Sequence, residues 1–181
     1  MTLAGLPGTI GETTVNESLD PKKLSPLAAP VGAVSRQDQP DLKNASAWGN
    51  PFKIKISLPG KDIGGQWLCR NNGDAMAYEN YCVPGSRAAV LKPYTHSDGK
   101  IYLQDEQGDW VSYESLWNLL YMSYWNYAVA WKIEGNRLVR DSDGAVLTWF
   151  YNDRWPLADR KNWLSASAPS VDALTVEKVD A

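Results

Sequence analysis

Beyond about residue 50 the chain alternates apolar and polar residues in short runs broken by turn signals, the pattern of half-buried strands. Phe52-Lys53-Ile54-Lys55-Ile56 alternates cleanly until Leu58-Pro59-Gly60 breaks it. Residues 67–70 and 75–78 flank Asn71-Asn72-Gly73-Asp74, a hairpin signal because Asn and Gly tolerate positive φ. Residues 101–104 and 110–113 flank a turn over 105–109, and residues 137–140 and 145–150 flank Asp141-Ser142-Asp143-Gly144. A further strand is expected ahead of each hairpin, at residues 52–56, 88–91 and 127–133. Only residues 114–121 read as a short helix.

These hairpins carry an internal repeat. Trp67-Leu68, Tyr102-Leu103 and Leu138-Val139 each begin six positions before a glycine, Gly73, Gly108 or Gly144, and the glycines stand 35 and 36 residues apart. Three residues after each glycine stand Met76, Val111 and Leu147, and five after it Tyr78, Tyr113 and Trp149. A fixed period of this size signals a repeated supersecondary unit. Residues two apart share a sheet face, so Leu68, Leu103 and Val139 are expected to lead three equivalent core layers. Ala77, Ser112 and Thr148 then point the other way. The glycines are expected in hairpin turns, at least two of them at positive φ.

Residues 1–48 differ in kind. They are rich in Pro, Gly, Ala, Ser and Thr, hold no aromatic residue before Trp48 and keep no period. Such a segment buries too little apolar surface to offset its ordering entropy. We expect a disordered or extended N-terminal arm over 1–48, which could also dock on a partner or on the chain's own domain. A β-domain of three units of about 36 residues follows over 49–165, with a C-terminal tail over 166–181.

Charge and composition narrow the function. A formal net charge of −3 argues against nucleic acid, which needs clustered Lys and Arg. No apolar run approaches the length of a membrane-spanning helix, and no secretory signal is legible at the N-terminus. The localisation reading is therefore cytoplasmic, or secreted by a route without a signal peptide. Cys69 and Cys82 leave a disulfide or two free thiols open, with Cys69 expected opposite Ala75 rather than Cys82.

The phrase Gly99-Lys100-Ile101-Tyr102-Leu103-Gln104-Asp105-Glu106-Gln107-Gly108, echoed at Gly135-Asn136-Arg137-Leu138-Val139 and Gly65-Gln66-Trp67-Leu68, resembles the repeat of fascin-like and lectin-like β-trefoils. The resemblance spans about residues 51–165 and implies an all-β, pseudo-threefold barrel of hairpins. The Gln-x-Trp signature of ricin-type lobes is absent, so no family sugar site carries over. The alternative is another closed β-barrel or a β-sandwich. A second stretch, residues 121–133, is similar to the aromatic segment by which actinoporin-type toxins recognise choline headgroups. The amphipathic insertion helix of those toxins has no counterpart in residues 1–30.

The candidate chemistry is recognition rather than catalysis. His96, the one histidine, sits in Thr95-His96-Ser97-Asp98-Gly99 and reads as a solvated turn residue, since triads assemble across a fold and not along a sequence. One His and two separated Cys do not make a zinc site. Asp141-Ser142-Asp143-Gly144 opens like a calcium loop but lacks the distal carboxylate. No metal, cofactor or catalytic residue is therefore assigned. The expected ligand-binding residues are Asn72, Asp74, Gln107, Asp109 and Asp143 on the turns, with Trp110, Tyr121, Tyr124 and Trp125 as exposed aromatics. The leading expectation is a non-catalytic, lectin-like module that binds glycans or a protein surface. The alternatives are a toxin-like protein that binds choline lipids, and a structural protein tied into an oligomer or larger assembly by residues 1–48.

Overall fold

The computed structural model describes residues 35–71, 80–115, 118–152, 162–167 and 172–181. Twelve strands fill these segments: β1 Phe52–Ser57, β2 Trp67–Arg70, β3 Cys82–Gly85, β4 Lys92–Thr95, β5 Ile101–Gln104, β6 Trp110–Glu114, β7 Leu119–Ser123, β8 Trp131–Glu134, β9 Arg137–Arg140, β10 Val146–Tyr151, β11 Asn162–Ser167 and β12 Thr175–Asp180. The domain is all-β, and its antiparallel sheets curl into a half-barrel. One sheet runs β12-β1-β2-β3 and the other β4-β5-β6-β7-β11-β10-β9-β8.

Alternation explains the first sheet. In β1, Phe52, Ile54 and Ile56 are buried while Lys55 and Ser57 are exposed, so one face enters the core. β12 pairs with β1 along its whole length, from Phe52 against Asp180 to Ser57 against Thr175. β12, which falls in the segment read from the sequence as a tail, is therefore part of this sheet. Val176 is buried in the same core as Ile54 and Ile56.

The pairing corrects several local expectations. β2 pairs with β3, and Cys69 faces Val83 rather than Ala75; residues 75–78, the expected partner, lie outside the described residues. Cys69 and Cys82 are not joined in a disulfide, and burial pushes the Cys82 thiol far up. Among the described residues of 114–121 there is no helix: β6 ends at Glu114, Asn118 stands at φ 60, and β7 returns with Leu120 against Tyr113. Residues 127–133 are split between a 3₁₀ turn at Trp125–Tyr127 and β8. The strand expected over 88–91 forms instead at 92–95.

The second and third hairpins form where the sequence places them, but their turns differ in length by one residue. The β5–β6 turn closes between Asp105 and Asp109, but the β9–β10 turn closes between Arg140 and Ala145. That turn is one residue longer, so Leu138, and not Val139, joins Leu103, Val111 and Leu147 in the main core. Val139 is buried in a separate cluster with Val146 and Ala173. Leu68 is also in the main core, while Gly73, Met76 and Tyr78 lie outside the described residues.

Gly108 and Gly144 sit in their hairpin turns at φ 89 and 78, a region side chains enter at a cost. A Cβ on Gly108 would meet nothing within 4 Å. Gly108→Val therefore isolates backbone strain, and we expect a loss of about 1–3 kcal/mol in denaturant unfolding. An unchanged midpoint would show that the turn relaxes freely.

Candidate functional site

The expected exposed aromatics are mostly inside. Trp110, Tyr121 and Trp125 are 3%, 2% and 8% exposed, and Tyr124 alone stands out at 51%. β7 explains Tyr121: it lies between β6 and β11, and all five of its residues are buried. Tyr121 packs edge-on against Tyr81 in a cluster with Cys69, Val83, Leu119 and Trp163, and burial raises its phenol pKa. It is not part of one surface with Trp125.

The turn residues divide in the same way. Gln107 is exposed, its N–H donating to Asp105 Oδ1. Asp143 is exposed but tied to Arg140, whose guanidinium lies 3.8 Å from the Tyr113 ring centroid. Asp109 is a structural ion-pair partner, because Arg70 Nη1 reaches both Asp105 Oδ2 at 2.6 Å and Asp109 Oδ2 at 2.7 Å. Asn72 and Asp74 lie outside the described residues. Among the described residues no group of three or more His, Cys, Asp and Glu could hold a metal ion, and no helix is long and apolar enough to cross a membrane.

Trp110 and Trp125 belong to a cluster that the sequence did not announce. Their rings meet at 4.9 Å, and Trp125 also meets Tyr102 and His96 at 4.9 Å each. Tyr94 and Trp48 complete the group. Edge-to-face contacts dominate, the arrangement that aromatic quadrupoles favour. His96 is buried here rather than solvated, and this corrects its reading as a turn residue. Sequence could not place it, because two of the groups that cover it, Asp38 and Trp125, are 58 and 29 residues away.

The arm closes this cluster. The Arg36 guanidinium lies 4.4 Å from the Tyr102 ring centroid and 4.2 Å from that of Trp125, so a cation sits between two aromatic faces. Its Nη2 approaches Asp98 Oδ2 at 3.7 Å, and its Nε donates to Asp38 at 2.8 Å. Asp38 accepts from His96 Nε2 at 2.6 Å, and its carbonyl accepts the Trp125 indole N–H at 2.9 Å. The backbone is held too: Arg36 N–H donates to the Asn126 carbonyl and Asp41 N–H to the Tyr94 hydroxyl. The Asp38 carboxylate can only accept, so His96 Nε2 carries a proton toward it, and the other ring nitrogen, Nδ1, lies 3.0 Å from the Tyr94 hydroxyl. The part of the arm that is described is thus bound to the chain's own domain.

Charge follows this wiring. Hydrogen bonds from Arg36 and then His96 hold the Asp38 carboxyl down at about 2. Burial would raise Asp98, but the Tyr102 hydroxyl and the Lys100 N–H hold it below the usual range. Burial and the bond to Asp98 push Tyr102 up to about 12. Because Asp38 is lowered from 3.8, its contribution is complete above about pH 4 and is lost as pH falls toward 2. We expect tryptophan fluorescence to report arm release over that acid interval in the wild type. Asp38→Asn should lack this step, and a wild type without it would remove Asp38 from the docking.

A second surface lies on β10. Trp149 and Tyr151 share a strand face with ring centroids 5.8 Å apart. The Trp149 indole N–H donates to Asn162 Oδ1 at 2.9 Å, and Lys61 Nζ lies 5.6 Å from the Trp149 ring centroid. Tyr151 is 50% exposed. The repeat sets Trp149 on one strand face with Leu147, and it does pack on the core, but its neighbour Tyr151 makes the pair a shelf.

No protein-family model, no curated protein and no solved structure matches this chain. The fold and the two sites define an all-β domain with a closed aromatic cleft and an open aromatic shelf.

Proposed function

We propose that this protein is a non-catalytic, lectin-like binding module on a β-trefoil framework. The strand order supports the framework. β4–β5, β8–β9 and β12–β1 pair, while β2–β3, β6–β7 and β10–β11 are hairpins. Read this way, twelve strands make three units of four, and β1, β5 and β9 open them. Gly60, Gly108 and Gly144 follow those strands, each at positive φ. The three hairpins also contribute jointly to one cluster: Cys69, Tyr81 and Val83 from the first, Leu119 and Tyr121 from the second, Trp163 from the third. The first unit is then β1 to β4 rather than the segment that opens at Trp67.

The observation that carries the binding reading is the Trp149–Tyr151 shelf. Both rings are rigid, with few torsions to freeze, and the Asn162 bond fixes Trp149 before any ligand arrives. The C–H face of a sugar ring stacks on such a surface. Lys61 supplies a hydrogen-bonding group beside the shelf, and the exposed turn residues Gln107 and Asp143 supply others elsewhere on the surface.

A glycan array probed with the full chain tests this. The expected result is selective binding that Tyr151→Ala weakens at least tenfold, a loss of about 1.4 kcal/mol, with the unfolding midpoint unchanged. A folded protein that binds no glycan above background would defeat the glycan reading.

A further inference from the structure

We propose that the aromatic cleft is a peptide-recognition site that reads Arg-x-Asp in an extended segment, and that a second copy of this chain can supply that segment. The inference rests on the arm contacts and not on the glycan reading. Each part of the motif has its own receptor. The arginine is held by the Tyr102 and Trp125 faces, with Asp98 3.7 Å from its Nη2 and the Ala128 carbonyl 3.4 Å from its Nη1. The aspartate is held by His96 Nε2. The middle residue, Gln37, is exposed and unread. Three backbone bonds set the direction of the segment, from Arg36 N–H to Asn126, from the Trp125 indole to the Asp38 carbonyl, and from Asp41 N–H to Tyr94. These are the contacts of a receptor for a linear motif: a planar cation slot, a donor for a carboxylate, and main-chain hydrogen bonds.

The source of the segment follows from how the arm is tied down. After Asp41 the chain runs exposed through residues 42–46, with Leu42 50% exposed, until Trp48 packs on Tyr94 and Trp110. The motif and the Trp48 anchor are joined by an exposed connector that forms a 3₁₀ turn at Ala45–Ala47 and is tied to Trp48 by the bond from the Trp48 indole N–H to the Leu42 carbonyl, so a swap needs this one turn to open. A short connector of this kind lets an identical element pass between copies at little cost. Every copy brings both the motif and its receptor.

The full-length R36A/D38A variant presents the cleft without a competent arm. Added to it, a synthetic peptide of residues 35–44 should give saturable tryptophan quenching. The same peptide with alanine for Arg36 should give none. Wild-type protein should respond at least tenfold more weakly, because its own arm competes at an effective concentration of order millimolar. R36A/D38A is then mixed with full-length H96L/Y102L, which keeps the arm and loses the receptor. Above the Kd found for the peptide, light scattering should show a mixed dimer that neither variant forms alone. If R36A/D38A is folded by circular dichroism and ignores the peptide, the recognition site is overturned. If it ignores the peptide yet floats with phosphatidylcholine vesicles, the cleft is a lipid-headgroup site and the peptide reading fails. If the peptide binds but no mixed dimer forms, the second copy as source is overturned.

Discussion

Trp125→Ala is expected to destabilise the protein by about 3–5 kcal/mol, the range for removing a large buried aromatic side chain. Trp125 is 8% exposed and touches Tyr94, Tyr102, Trp110 and His96 at once. It also stacks on Arg36 and donates its indole N–H to the Asp38 carbonyl. The substitution therefore opens a cavity and removes two of the arm's attachments together. Denaturant unfolding gives the stability change, and limited proteolysis should find new cleavage within residues 35–46. Trp125→Phe keeps most of the packing and loses the hydrogen bond, so it should cost only about 1 kcal/mol beyond the smaller ring. A loss below about 1 kcal/mol for the alanine variant would show that the cluster repacks without its centre.

The second large effect is expected at Arg70. Its side chain is 8% exposed and bridges Asp105, 1% exposed, and Asp109, 13% exposed. It also donates through Nε to Asn80 Oδ1 at 2.8 Å, so it ties β2 and the end of its hairpin to the β5–β6 turn. Arg70→Met leaves two carboxylates together without their cation, a change that costs about 3–5 kcal/mol in buried settings. Asp105 must also keep serving its turn, since its Oδ1 accepts from Gln107 and Asp109 N–H groups. The triple variant R70M/D105N/D109N removes the charges and retains those acceptors, and it should recover most of the loss. Thermal and denaturant unfolding of both variants decide the matter. Equal instability in the two would mean that the bridging contacts, rather than uncompensated charge, were what Arg70 supplied.

How much of this was legible depended on the range of the interaction. Alternation in residues 52–56 and the glycine turns at 108 and 144 are local signals, and they hold. The expected tight turn at residues 71–74 does not fit the pairing, because Asn71 exchanges backbone hydrogen bonds with Asn80 and Tyr81. A one-residue difference in turn length then moved the core role from Val139 to Leu138, because a shift of one residue exchanges the two faces of a strand. Aromatic exposure was misjudged for a related reason. Whether Tyr121 faces water depends on β11 lying beside β7, and β11 is more than 40 residues further along the chain.

By itself, the sequence determined that this is a strand-built domain, where two of its tight turns fall, and that residues 1–48 differ from the rest. Those properties follow from side-chain period, glycine conformational freedom and local composition, which act over a few residues. The tertiary structure decided everything that needs distant segments to meet. It placed the β12 strand against β1, buried His96 and Trp125, and paired Arg70 with Asp105 and Asp109. It also set Arg36 between two rings that belong to different strands and turns. A cation–aromatic slot requires faces brought within a few ångströms by the fold, and no spacing along the chain encodes that distance.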